Sequence, residues 1–540
     1  MPYDVEAARD LPWAQRLRLA CQAWAIQGYG PPALVYLIYL LKILVYVAVW
    51  WAFCQRSADW ATAGTWSDQI FTETAFQKAV LWSMAFEVLG LGCGSGPLTA
   101  RYLPPFGACL HFARPGTIRL PPFPKLTGCS GDRRSVLDVL LYLALLVALF
   151  RALLAPEITA GLVWPVVALL PILALRDKTI FLAARGEHYY ALAVCFLFED
   201  QWIAGAIAVQ SAIWLWAAVS KLTPNFPSVV CAMISNGPLM RWEWLRKTLY
   251  REYPDDLRPA SVTVLLAHLG TLVEFGFPLL LIFGGGGELT TIGLVMMAVF
   301  HLYITGNFPA AVPIEWNVIM VYGACFLFMG HGDVVLWSLT SPLLIGFLVV
   351  MLVIVPVVGN FVPSRVSFLL SMRYYAGNWP YSIWLFRKGT VGLIDDHVVK
   401  CSAHPRDQML SLYDETVVEG SLQLLAAFRA MHLHGRALHT LLPQAVDDLE
   451  AYDYHDGELI AGYALGWNFG DGHLHQAQLL RAIQARCNFS EGDLRCVFVE
   501  SQPLFGRTMR YTLHDAALGQ FAEGEVEVAA LLKEQPWPTH

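Results

Sequence analysis

The sequence predicts a polytopic α-helical membrane protein of about ten transmembrane helices, followed by a small C-terminal α/β soluble domain. Three observations carry that expectation. Of 540 residues, 56% are hydrophobic, 13% aromatic and only 15% charged. Apolar runs long enough to cross a bilayer recur between Pro31 and Gly359, with polar punctuation between them. After about Val362 the composition turns to mixed charge with short helical and strand patterns.

Taken in order, residues 1–30 read as an interfacial helix, with Trp13, Leu17, Ala20 and Trp24 on one side and Arg9, Arg16 and Arg18 elsewhere. A transmembrane bundle over 31–361 follows. Its first span, 31–54, opens on a Pro-Pro pair and carries Lys42, read as facing a wet bundle interior. The second, about 78–92, holds Glu87 and runs into a glycine-rich stretch ending at Gly96. That stretch has no following Lys-Ser/Thr and no preceding strand, so it reads as close packing rather than a phosphate loop. Residues 97–134 are too proline-rich for a helix and predict a structured cap over the bundle.

Spans three to six are expected at Val136–Leu154, Ile158–Leu175, Ile180–Phe198 and Trp202–Ser220. Spans seven to ten are expected at Val262–Phe283, Leu289–Thr305, Ile314–Phe328 and Val335–Gly359. In the domain 362–540, helices are expected at Gly420–Met431, Ala437–Leu449 and His473–Ala485. Strands are expected at Leu459–Leu465, Leu494–Glu500 and Arg507–Leu513. Arg373, Arg387 and Lys388 beside Trp379 and Trp384 read as a junction lying at the lipid headgroups.

Charge sets the orientation and excludes partners. Net charge is -7 with no basic tract, which argues against nucleic acid. Loops predicted to be cytoplasmic hold seventeen Lys and Arg, whereas the outer loops hold only Arg56. The positive-inside rule then places both termini in the cytoplasm and the protein in the inner or plasma membrane. That orientation turns on a break at Glu199-Asp200; one continuous 189–219 segment would invert everything after it. The acidic N-terminus has no apolar core and does not read as a signal peptide. The eleven cysteines are odd in number and never spaced C-x-x-C, which fits neither a disulfide framework nor a zinc knuckle.

Ionisable groups at membrane depth cost several kcal/mol unless paired or wetted, and so mark function. Glu187-His188 opens one apolar run and Lys221 closes the next. A lysine against a low-dielectric wall loses its proton more readily and becomes a base near neutral pH. The plain alternative is a lysine snorkelling from a helix end toward phosphates. His301, Asn307, Glu315 and Asn317 fall at the same ends of their spans, with Glu274 deeper and Glu87 on span two. His268 and Glu274 differ by about 600° of helix rotation and need not share a site. Two prolines interrupt the apolar stretch between Asn307 and Glu315, as a cavity-lining segment permits.

One stretch also resembles a known family. Asp177-Lys178-Thr179, then His188 followed by Tyr-Tyr-Ala-Leu, then Ala217-x-x-x-Lys221-Leu222-x-x-x-Phe226, is similar to vitamin K-dependent gamma-glutamyl carboxylase and its bacterial relatives, the HTTM membrane proteins. The resemblance implies Lys221 as the base that deprotonates a hydroquinone and His188 as part of the same catalytic site. It implies a quinol of the menaquinone or vitamin K type, with quinol-epoxidase or carboxylase-like chemistry. The chain has no counterpart of the carboxylase's large lumenal domain.

Other readings stand beside this one. A non-catalytic scaffold or lipid-binding protein would present the cytoplasmic domain to a protein partner, and its other partners would be the bilayer and a lipophilic small molecule. Transport would use Lys42, Glu87 and Glu274, but no inverted repeat is visible. The pairs His432/His434 and His473/His475 would suit a metal on a strand, yet they sit beside helical patterns, so no metal is predicted. Glu500, Arg507, Arg510 and His514 read as a solvated ion-pair network. No G-x-S-x-G, H-E-x-x-H or dinucleotide fingerprint is present.

Overall fold

The computed structural model describes residues 3–29, 33–92, 106–126, 128–237, 240, 242–307, 314–366, 373–469 and 471–539. Most of the glycine-rich stretch, the start of the proline-rich connection and the prolines between Asn307 and Glu315 lie outside them.

Among the described residues, six helices are long and apolar enough to cross a membrane: Leu37–Cys54, Val136–Leu154, Trp202–Ser220, Ser261–Phe283, Glu288–Asn307 and Pro342–Phe361. Two shorter apolar helices, Ala160–Arg176 and Ile314–Gly330, stand beside them. Four of the ten expected spans are not among the six: two are these shorter helices, and two apolar runs are not long continuous rods. The second run is the helix Glu73–Val88, buried from Thr74 to Val88. The fifth breaks into Lys178–Ala183, a π-helical turn Gly186–Tyr190 and Ala191–Cys195. Arg185 causes the break by adopting the left-handed region at φ 51°. Gly186 follows because a Cβ there would fall 2.1 Å from the Phe181 ring.

Trp202–Ser220 lies at the centre of the bundle, with 67% of it buried against 22% for Leu37–Cys54. Val136–Leu154 starts at a reciprocal cap: Ser135 Oγ accepts the Asp138 N–H at 3.3 Å, and Asp138 Oδ2 accepts the Ser135 N–H at 2.7 Å. Asp138 also pairs with Arg119 at 3.1 Å and with Arg176, while Arg134 pairs with Asp177. Arg119 and Arg134 are buried, so the connection that carries them folds over the helix ends instead of trailing in solvent.

A hairpin of β1 (Tyr250–Glu252) and β2 (Asp256–Pro259) follows the central helix. The C-terminal region holds an antiparallel sheet of β3 (Tyr381–Arg387), β4 (Tyr452–Asp456), β5 (Leu494–Val499), β6 (Thr508–Asp515) and β7 (Gly519–Glu527). The spatial order is β4-β3-β5-β6-β7. Helices Glu415–Met431, Leu433–Ala445 and Ala477–Cys487 accompany it. The segment expected as a strand at 459–465 is instead the helix Gly457–Leu465. Asp456 caps its start by accepting the Glu458 N–H at 2.8 Å, and Gly466 ends it at φ 85°.

Two surfaces expected at the membrane are covered by protein. The helix Trp13–Gln27 packs on Glu415–Met431, with Trp24 fully buried. The Trp24 ring lies 5.1 Å from that of Phe428, and its Nε1 donates to the Ala232 carbonyl at 2.8 Å. At the expected headgroup junction, Trp379 and Trp384 are core residues around β3. Arg373 there is buried and donates to backbone carbonyls, including that of Val366 at 3.0 Å.

Candidate functional site

A cavity of about 430 Å³ opens beside the end of the central helix. Trp202–Ser220 stops at Lys221 because Pro224 cannot continue it, and the chain turns into the helix Phe226–Ile234. Lys221 thereby points sideways into the bundle, 5% exposed. Its ammonium donates to the Glu274 carboxylate, which is equally buried within Ser261–Phe283. The snorkelling geometry is absent; the charge is met inside the protein. Leu266, Gly270 and Glu274 line the cavity together because a four-residue step keeps them on one helix face. His268 stands on another face and is exposed.

His301 and Asn317 form the opposite wall. The Trp214 indole N–H donates to His301 Nε2 at 3.0 Å. An indole only donates, so Nε2 is the acceptor and Nδ1 carries the proton, given to Asn317 Oδ1 at 2.7 Å. His301 is held as a neutral ring with both nitrogens engaged. Asn307 completes this wall, its amide donating to the Tyr303 carbonyl at 2.7 Å.

Of the residues marked in the sequence, Lys221, Glu274, His301, Asn307 and Asn317 share this cavity. His188, Glu315 and Glu87 do not line it. They stand behind Trp316, which acts as a partition: the ring lines the cavity, while its Nε1 donates to His188 Nδ1 at 3.0 Å. The Arg185 guanidinium lies 4.8 Å from the Trp316 ring centroid and 3.4 Å from the Glu87 carboxylate. Glu315 pairs with Lys42 at 3.4 Å, and Lys42 also donates to the Gly92 carbonyl at 2.8 Å. Lys42, expected to face the bundle interior, is half-buried there and its charge is met by Glu315.

The C-terminal region supplies the floor of the cavity, which hydropathy alone does not reveal. Tyr374, Gly377, Trp379 and His432 line it. Gly377 sits at φ 64°, and a Cβ there would fall 2.1 Å from Val229. His432 Nδ1 donates to the Phe428 carbonyl at 2.8 Å, and its Nε2 has no hydrogen-bond partner among the described residues. Burial holds this histidine down to about 3, so Nε2 is an acceptor at neutral pH. His-x-His was visible in the sequence; its use here is as one neutral acceptor. Among the described residues, no three His, Cys, Asp or Glu side chains gather as a metal site.

Walls of this kind, apolar and aromatic with a few convergent polar groups, suit a lipophilic molecule carrying one hydrogen-bonding head. A family model described as "Transmembrane protein of unknown function (DUF3556)" matches residues 1–540. No curated protein and no solved structure matches the chain. Nothing in these matches ties it to the HTTM or carboxylase families.

Proposed function

We propose that this chain, which belongs to the DUF3556 family of transmembrane proteins, binds a membrane-dissolved quinol or similar amphiphilic phenol in the cavity beside Lys221. The observation that carries the reading is the Lys221–Glu274 pair, buried in the wall of an otherwise apolar, aromatic cavity. A volume of about 430 Å³ accommodates a ring and the first part of its tail, within the range of small-molecule sites.

The pair carries one mobile proton. With that proton on Glu274, the Lys221 amine is a base; a phenolic O–H breaks, its proton joins the amine, and the phenolate faces the new ammonium. Trp214, Phe300 and Trp316 keep water from the oxyanion. His301 acts as a positioning residue, holding Trp214 and Asn317 in place. His188 acts through Trp316. Oxidoreductase or lyase chemistry on the phenolate, with dioxygen as the oxidant, extends this reading. The Lys and Arg bias of the loops supports cytoplasmic termini in the plasma or inner membrane.

A second reading, a non-catalytic lipid-binding protein, is favoured by one observation. Most polar groups of the cavity already have protein partners, which suits holding a ligand more than transforming it.

The test compares wild type with Lys221→Met/Glu274→Leu in lipid, supplied with reduced menaquinone. Tryptophan quenching reads binding and oxygen uptake reads chemistry. Quenching with uptake, both lost in the double variant, supports the catalytic reading. Quenching without uptake supports the binding reading. No quenching of the folded wild type overturns both.

A further inference from the structure

A second cavity, of about 440 Å³, lies where the bundle meets the C-terminal region, lined by different residues from the first. Two apolar helices end beside it, Ala160–Arg176 and Pro342–Phe361. In a membrane, the ends of helices of this kind lie where the lipid headgroups begin.

Its walls divide by chemistry. Phe181 and Leu182 give an apolar side, while Lys178, Arg365 and His473 give a basic one. Asp471 is the acid among the described lining residues; its Oδ1 accepts the His473 backbone N–H at 3.1 Å and lies 3.8 Å from His473 Nδ1. His473 Nε2 faces the Glu500 carboxylate at 3.0 Å, so that neighbouring acid is engaged. Lys178 Nζ donates to the His473 carbonyl at 3.1 Å and has two further N–H bonds. Arg365 is exposed and makes no ion pair among the described residues. A guanidinium with five donors and an ammonium, lining one cavity that also has an apolar side, match a phosphate attached to a greasy glycerol end.

We propose that this cavity binds the phosphate of an anionic membrane phospholipid, clamped between Lys178 and Arg365, with the glycerol end on Phe181 and Leu182. The lipid would then tie the ends of two membrane helices to the 471–478 segment of the C-terminal region.

The experiment titrates the purified full chain in detergent with dioctanoyl phosphatidylglycerol, read by thermal shift and native mass spectrometry. Inorganic phosphate serves as the soluble-anion arm. The expected result is a saturable shift and a retained lipid, weakened at least about tenfold by Arg365→Ala, as the loss of a charged hydrogen bond implies. Arg365 is exposed, so that variant keeps its fold. Lys178→Gln keeps a donor for the His473 carbonyl, removes the charge, and is expected to weaken binding similarly. Unchanged affinity in both variants overturns the proposal. An equal response to inorganic phosphate overturns the lipid as its source. A response abolished by Gly270→Trp in the first cavity, but untouched by Arg365→Ala, assigns the lipid there and overturns it too.

Discussion

The Lys221 ammonium and the Glu274 carboxylate, 53 residues apart in the chain, meet in the wall of an apolar cavity with each side chain 5% exposed. Neither charge is affordable there alone, and together they are the most polar feature of the cavity wall. Breaking such a pair from one side strands the other charge. Lys221→Met is therefore expected to destabilise the protein by about 3–5 kcal/mol, and Glu274→Leu by a similar amount. The double variant is expected to recover most of that loss while binding no phenol. Denaturation in a fixed detergent checks the cycle; additive losses would show that the two groups do not interact.

Gly270 lines the first cavity, and a Cβ built there meets nothing within 4 Å. Gly270→Trp is expected to fill the space with little loss of melting temperature, since its Cβ meets no neighbour and the ring has the cavity to enter. Menaquinone quenching of the native tryptophans is expected to fall by at least about tenfold. Equal binding by this variant would place the ligand elsewhere.

Gly377 sits at φ 64° against Val229, where the C-terminal region closes the cavity. Gly377→Ala adds a left-handed alanine, costing about 1–3 kcal/mol, and a methyl group with no room. Lower melting temperature together with weaker ligand binding is expected. Loss of stability with full binding would show that the floor does not shape the site.

Histidines in the C-terminal region are buried neutral: burial holds His432 down to about 3, His439 to about 4, and His434 well below its usual value. The unfolded chain protonates these rings near the ordinary value of 6.5 and the folded chain does not. Stability is thus full above that value and declines as pH falls from about 6.5 toward 4, by about 2 kcal/mol per ring at pH 5. Melting curves from pH 8 to 5 check the sign. A melting temperature that rises on acidification would contradict it.

Much of the site was legible in the sequence because charge in apolar runs is conspicuous. Lys221, Glu274 and His301 stand out for that reason, and they line one cavity. Their division from Glu87 and Glu315 was not legible, because it depends on helix rotation and on where Trp316 stands. The break in the fifth apolar run did have a signal, the polar stretch Arg185-Gly186-Glu187-His188, which the span drawn over 180–198 runs straight across. The apolar stretch at 459–465 is too short for periodicity to separate helix from strand. Asp456 before it and Gly466 after it were the helix signals. Tyr374, Trp379 and His432 were missed as site residues because they lie beyond the last apolar run.

The contact of Trp24 with Phe428 has a consequence for how the chain is made. The helix that carries Trp24 leaves the ribosome about 400 residues ahead of its partner helix, Glu415–Met431. At typical elongation rates that gap lasts tens of seconds, during which Trp13, Leu17 and Trp24 lack their final cover. The amphipathic pattern that reads as a surface helix is well suited to rest on the bilayer through that wait. A segment made well before its partner then reaches its place only once that partner arrives, so this contact forms by a long-range docking step.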